Sequence, residues 1–362
     1  MRPDLAQLVQ EADITVENVW DQDLLEALTA ALNACSKSMV SFFEFLLDRY
    51  RRKECSAADH TAFFLCMLPN LRVAELEVDI SSKPMLEILA AWPNSLLPRV
   101  EDLRLRGCTV KPTVANRGLE YLIQLPSVRT FHGMGIRWEE YRGPVLGLRH
   151  LVLHYSSIGA DGIHNILLHC VRLETLQLHL EGLYMYRVDL SLVGDILRNL
   201  GQNLENLDIG SLPETPRGSL GSLCTLNRLK KLTLPWDMVV RTPEVDPSDE
   251  SAEGQALVLP QGIPRLIDLL PDSLEHLHLY PGEADVENWQ LLELVESDRF
   301  SRLLSVCVAR QKRVNRDDVD QLAFGQDLSR LGWALRKYKE HGWSSEGGRL
   351  VFYWIVLEKR MT

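Results

Sequence analysis

Nine segments of this chain share one spacing: an apolar residue, a second three places on, and a third two beyond that. It reads Leu148–Leu151–Leu153 in GLRHLVLHY, Leu173–Leu176–Leu178 in RLETLQLHL and Leu204–Leu207–Ile209 in NLENLDIGS. Leu229–Leu232–Leu234 and Leu274–Leu277–Leu279 repeat it in RLKKLTLPW and SLEHLHLYP. Looser copies are Leu71–Ala74–Leu76, Val100–Leu103–Leu105, Val128–Phe131–Gly133 and Leu303–Val306–Val308. A separation of two puts the last pair on one side of a strand, so each segment reads as a short strand with one apolar face. Such a strand needs neighbours to bury that face, and its recurrence dictates the architecture.

Eight steps from Leu71 to Leu303 cover 232 residues, a mean of 29. That is the top of the roughly 20–29-residue period of leucine-rich repeats. The expected fold is an α/β leucine-rich-repeat solenoid of about nine irregular units, a horseshoe with a parallel concave sheet and outer helices. Helical apolar spacing between the strands supports this at Ile163-Ile166-Leu167, Leu192-Val193-Ile196-Leu197-Leu200, Leu266-Ile267-Leu269-Leu270 and Leu291-Leu292-Leu294-Val295. The same spacing at Met85-Leu86-Ile88-Leu89 adds a further helix. Residues 1–68 read as a helical N-terminal cap, through Leu5-Leu8-Val9, Leu24-Leu25-Leu28, Met39-Phe42-Phe43-Leu46-Leu47 and Ala62-Phe63-Leu65. Residues 69–310 form the solenoid. Residues 311–362 add a cap helix through Val319-Leu322-Leu328-Leu331-Leu335 and a final strand, RLVFYWIVLEK, which must pair or be covered. An acidic insert at 239–262, centred on RTPEVDPSDESAEGQ, reads as a flexible loop.

Composition narrows the function. Among 362 residues, 46% are hydrophobic and 25% charged, as in ordinary soluble proteins. The net charge of −11 disfavours nucleic acid, whose phosphates need Lys and Arg. Seven cysteines (Cys35, Cys55, Cys66, Cys108, Cys170, Cys224, Cys307) form no Cys-x-x-Cys pair, which predicts reduced buried thiols. The longest apolar stretch, Leu350 to Leu357, is far below a membrane span. The expectation is a cytoplasmic or nuclear monomer with no membrane or nucleic-acid partner and no cofactor.

Period-two alternation then names the surface. Flanking the second apolar residue of each unit, side chains face outward, onto the concave wall. The candidate partner-binding residues there are Glu75, Asp102, Arg104, Arg106, His132, His150, His154, Gln177, His179, Asp208, Lys231, His276, His278 and Tyr280. Val152 and Thr175 take outward places too. Six of the ten histidines fall on this face. The plain reading is a solvated polar sheet face. A pH-sensitive patch stands second, because imidazole titrates near 6.5. A metal site around His150, His154 and His179 stands third, since zinc wants four ligands. Mixed charge along the row suits a protein or peptide partner; Tyr184, Tyr186, Trp236 and Tyr280 read either as aromatic anchors or, equally, as side chains packed against a neighbouring loop.

The units MLPNLRVAELEV, LLHCVRLETLQL, LNRLKKLTLP and LPDSLEHLHLYPGE resemble the leucine-rich part of fungal F-box and leucine-rich-repeat proteins. The resemblance covers about residues 60–310. It implies substrate recognition by the repeats, and docking of a Skp-type adaptor of a cullin ubiquitin ligase by a short N-terminal F-box. That box opens L-P-x-E-I/L in the family, and DLAQLVQEADI lacks the proline-led opening. Two readings follow: a gene start set too late, with the F-box upstream, or a stand-alone repeat scaffold unrelated to ubiquitin.

Catalytic signatures are missing from the sequence: no G-x-S-x-G, no H-E-x-x-H and no phosphate-binding glycine loop. The cluster His132-Gly133-Met134-Gly135 reads as a bend or bulge within a strand. A non-enzymatic scaffold is the expectation.

Overall fold

Each of the nine spaced segments begins a strand two residues after its first apolar position. The computed structural model describes residues 11–14, 37–52, 65, 68, 70–78, 99–107, 123–135, 137–138, 146–179, 189–210, 218–240, 264–280, 288–311, 326–343 and 349–359. The chain is α/β, with mostly parallel strands and few helices among these residues. It divides into two compact units. One comprises 1–158, 168–172 and 182–184; the other comprises 159–167, 173–181 and 185–362.

In the first unit, β1 (Glu11–Ile14), β2 (Val73–Val78), β3 (Asp102–Gly107), β4 (Thr130–Met134) and β6 (His150–His154) pair in that order, all parallel. The inward residues align across the ladder: Ala74, Leu103, Phe131 and Leu151 in one row, Leu76, Leu105, Gly133 and Leu153 in the next. All the side chains in these rows are buried, Leu103, Phe131, Leu151 and Leu153 completely. Helix α1 (Lys37–Arg51) buries Leu46 and Leu47 and leaves Phe45 exposed under the Arg49 guanidinium. A minor pair, β5 (Arg137–Trp138) with β7 (Ser157–Ile158), completes the unit.

The second unit orders its strands β8 (Thr175–His179), β9 (Asn206–Ile209), β10 (Lys231–Pro235), β11 (His276–Tyr280), β12 (Ser305–Gln311), β14 (Arg349–Lys359) and β13 (Trp333–Trp343). The first five are parallel. Strand β14 then adds antiparallel, and β13 folds back on it as a hairpin. One buried row runs Leu176, Leu207, Leu232, Leu277, Val306 and Leu357. The final strand is thus paired on both sides, which resolves the edge hazard its apolar sequence carries.

A single backbone device recurs at the strand entries. The carbonyl of Arg72 accepts both Glu101 N–H and Asp102 N–H, at 2.8 and 3.0 Å. Carbonyls of Glu101, Arg129, Glu174, Glu205, Lys230 and Glu275 do the same for the strand that follows each in its unit. Two donors per carbonyl fix where each strand begins, so loop length can vary without shifting the register.

Among the described residues, the helices accompanying these strands include α2 (Ala160–His169), α3 (Leu190–Leu200), one-turn α4 (Asp237–Val240) and α5 (Leu266–Leu269), and α6 (Asn288–Glu296). Asp189 caps α3, accepting from Ser191 N–H at 2.9 Å and Leu192 N–H at 3.2 Å. Asp161, cap-like in sequence, lies in the first turn of α2, where a carboxylate still suits the helix dipole.

Several expectations need correction. Glu11–Ile14 is a strand within the expected helical cap, because pairing satisfies the β2 edge. The expected helix through Leu335 ends earlier: Gly332 at φ +77° stops a turn over 326–330, and Leu335 lies in β13. Gly133 sits in unbroken register with Leu105 and Leu153, and the bend expected of its cluster falls at Gly135, at φ +68°. The insert starts later than Val239, because α4 (Asp237–Val240) buries Met238 and Val239. Its remainder through residue 262, the segments Leu5–Val9, Leu24–Leu28, Ala62–Phe63 and Met85–Leu89, and the residues Val319, Leu322, Tyr184 and Tyr186 lie outside the described residues.

Candidate functional site

Alternation along each strand makes the outward face a direct consequence of the inward leucines. All fourteen candidate residues occupy outward places, and none of them is buried. The first unit holds Glu75, Asp102, Arg104, Arg106, His132, His150 and His154. The second holds Gln177, His179, Asp208, Lys231, His276, His278 and Tyr280. His154 and His179 therefore belong to different units.

In the first unit the register sets Glu75, Arg104 and His132 side by side, and Arg106 beside Met134. Arg104 holds Asp102 through Nη2 at 2.8 Å and Nε at 3.2 Å, and approaches Glu75 at 3.9 Å. Arg106 engages Glu75 through Nε. His132 Nε2 lies 3.7 Å from Asp102 Oδ1. Burial is the main cause that lowers the His132 pKa below its usual value; Arg104 and His150 lower it further, while Asp102 and Glu75 oppose. The imidazole is neutral at pH 7, so two carboxylates face two guanidinium groups. These partly exposed pairs orient side chains more than they stabilise the fold.

The second unit carries a different pattern. His179 Nε2 lies 3.2 Å from Asp208 Oδ1, and His276 Nδ1 lies 2.8 Å from Ser305 Oγ. The His278 and Tyr280 rings stack at 4.8 Å between centroids, tilted by 37°. Asn206 Nδ2 donates to Thr175 Oγ1 at 3.1 Å. Apart from the ring pair, which lies within β11, these are cross-strand polar pairs, able to present directed donors and acceptors to a bound chain. No group of three or more His, Cys, Asp or Glu able to hold a metal occurs among the described residues.

No family model matches this chain. No curated protein matches it either.

Three outward expectations are overturned. Val152 is buried at 6% exposure, with His132 beside it in the register. Thr175 is buried under the Asn206 amide. Trp236 is 2% exposed and is no anchor. It lies two residues after Leu234, so strict alternation already turned it inward. Sequence reasoning missed Met134 and Ser305, which the same alternation places outward, and Tyr155, which it does not reach.

The thiols give a first prediction. Burial pushes the Cys170 thiol up to about 12 and the Cys307 thiol up to about 11. Both stay protonated at neutral pH, and alkylation of the native protein should run about a hundredfold slower than of the unfolded chain. A raised thiol pKa favours folding below the unfolded value, and that contribution is lost as pH climbs toward the folded one. Peptide mapping after iodoacetamide treatment at pH 7.5 checks this; rapid native labelling of Cys307 would contradict it.

Proposed function

We propose that this chain is a non-enzymatic protein-recognition scaffold, a leucine-rich-repeat solenoid whose concave wall holds a protein or peptide partner. Support comes from the equal strand offset at nine sites and the doubly accepting carbonyls, the behaviour of repeated units. The carrying observation is the outward row itself. Fixed charges, imidazoles and a tyrosine lie half exposed on strands whose inner face is apolar and mostly leucine. Such mixed polarity matches a polypeptide, whose charges and apolar groups alternate at a similar spacing. No helix among the described residues is long and apolar enough to cross a membrane.

Within that role, substrate recognition for an F-box-type ubiquitin ligase rests on the resemblance of the repeat units. A stand-alone scaffold is favoured by one observation: part of DLAQLVQEADI is spent as strand β1 on the edge of β2. Co-expression with a Skp-type adaptor separates the two. Capture of the adaptor by this chain, or by the same gene extended upstream in frame, supports the ligase role; capture by neither leaves the scaffold. Outward substitutions Arg104→Ala, Lys231→Ala and His278→Ala should each weaken a captured partner by about tenfold while leaving the melting temperature unchanged. If all three leave the partner bound as before, the recognition reading falls.

A further inference from the structure

The C-terminal ends of β3, β4 and β6 bring three side chains into one outward row. Arg106, Met134 and His154 lie in register there, on the outward side. The Arg106 side chain is 64% exposed although Nε is engaged by Glu75. A guanidinium held through Nε still presents its terminal amino groups, the geometry that receives a carboxylate. Met134 is exposed at 41% and Tyr155, directly after β6, at 51%.

Tyr155 is the informative residue. Its φ of 49° makes it the one non-glycine residue at positive φ among the described residues. The equivalent place after β4 is Gly135, at φ 68°. The same turn is thus made twice, once with the residue that adopts it freely and once with an aromatic residue for which it is strained. His154 carbonyl holds the tyrosine turn by accepting Gly135 N–H at 2.9 Å and the Ser156 hydroxyl at 2.9 Å. Glycine would satisfy the turn, so the backbone does not account for the ring.

We infer that Arg106, Met134 and Tyr155 form a docking site for a peptide segment bearing a carboxylate beside an apolar side chain. This rests on the recognition reading and names the chemistry of its partner. The exposed Arg106 fork selects the occupant. Asp102 and Glu75 already balance Arg104 and Arg106, and His132 adds no positive charge at neutral pH. One carboxylate can share the Arg106 fork. A polyphosphate finds too few cations. Met134 gives an adaptable apolar floor and Tyr155 a rigid one, the pairing that suits a leucine or phenylalanine anchor.

The test uses the full chain on an array of short peptides, each with one Glu beside Leu or Phe, and matched peptides with Gln instead. Binding should favour the Glu set by about tenfold, the worth of one charge-assisted fork. Arg106→Gln should abolish that preference. Tyr155→Gly should weaken every peptide while melting no lower than the native chain, because glycine relieves the turn. Equal binding of Glu and Gln peptides, or a preference that Arg106→Gln retains, overturns the proposal. If Lys231→Ala or His278→Ala weakens the peptides while Arg106→Gln does not, recognition stands and this site falls. If no outward substitution changes binding, both fall.

Discussion

Phe131→Ala should destabilise the first unit by about 3–5 kcal/mol, the usual cost of removing a fully buried aromatic side chain. Phe131 is completely buried, between Leu103 and Leu151 in the inward row. Its neighbour along the strand is Gly133, which contributes no side chain to the next row. A phenyl ring beside a glycine is a local solution to filling the space between strands, and alanine in its place leaves a void that the flanking leucines cannot close. Urea unfolding followed by tryptophan fluorescence and far-ultraviolet dichroism measures the change. A loss under about 1 kcal/mol would mean that the row collapses freely, contrary to the close packing of interiors.

Gly194→Ala gives a result whose sign is informative. Gly194 lies inside α3, where alanine in place of glycine should stabilise the helix by about 1 kcal/mol. Packing predicts the reverse. A Cβ on Gly194 would stand 2.0 Å from the Leu220 carbonyl oxygen and 2.8 Å from its carbon. That carbonyl is backbone and already receives Arg198 Nη1 at 2.6 Å, while Leu220 N–H donates to Met238 at 2.7 Å. Neither side can yield cheaply, so the net loss should reach about 3 kcal/mol, near the upper end for overpacking. Gly159→Ala is the matched control, because a Cβ there meets nothing within 4 Å. It should change stability by under about 1 kcal/mol. Thermal melts of both variants decide the matter; a stabilised Gly194→Ala would show that α3 can move away from Leu220.

Much of the fold was legible because one physical rule, alternation, governs nine short strands. Leu151, Leu176, Leu207 and Leu277 announce their burial by spacing alone, and Arg104, Lys231 and His278 their exposure. Strand β14 (Arg349–Lys359) was readable from its unbroken apolar and aromatic run, Leu350 to Leu357. Helix α3 was readable too, from its apolar stripe, and the N–H of Gly201 closes its end on Leu197. Legibility failed where a neighbour decided the outcome. Leu335 fits a helical stripe, yet pairs with Leu357 as a strand. Glu11–Ile14 carries no strong strand signal, and the open edge of β2 recruits it. Val152 obeys alternation and is buried all the same, with His132 beside it in the register.

The candidate surface divides along the same line. Which residues face outward follows from sequence, since period two is a property of the extended backbone. Which of them pair does not. Arg106 with Glu75, His179 with Asp208 and His276 with Ser305 depend on lateral register, and register is fixed by backbone carbonyls that each take two N–H groups from the following strand. The left-handed turn at Tyr155 is likewise invisible beforehand, since no residue preference calls for tyrosine there. Sequence alone determined the nine repeated strands and their two faces, because a local hydrophobic period is enough to do so. Only the tertiary structure decided the partners, the hairpin beside β12 and the strained tyrosine, because each depends on groups far apart in the chain.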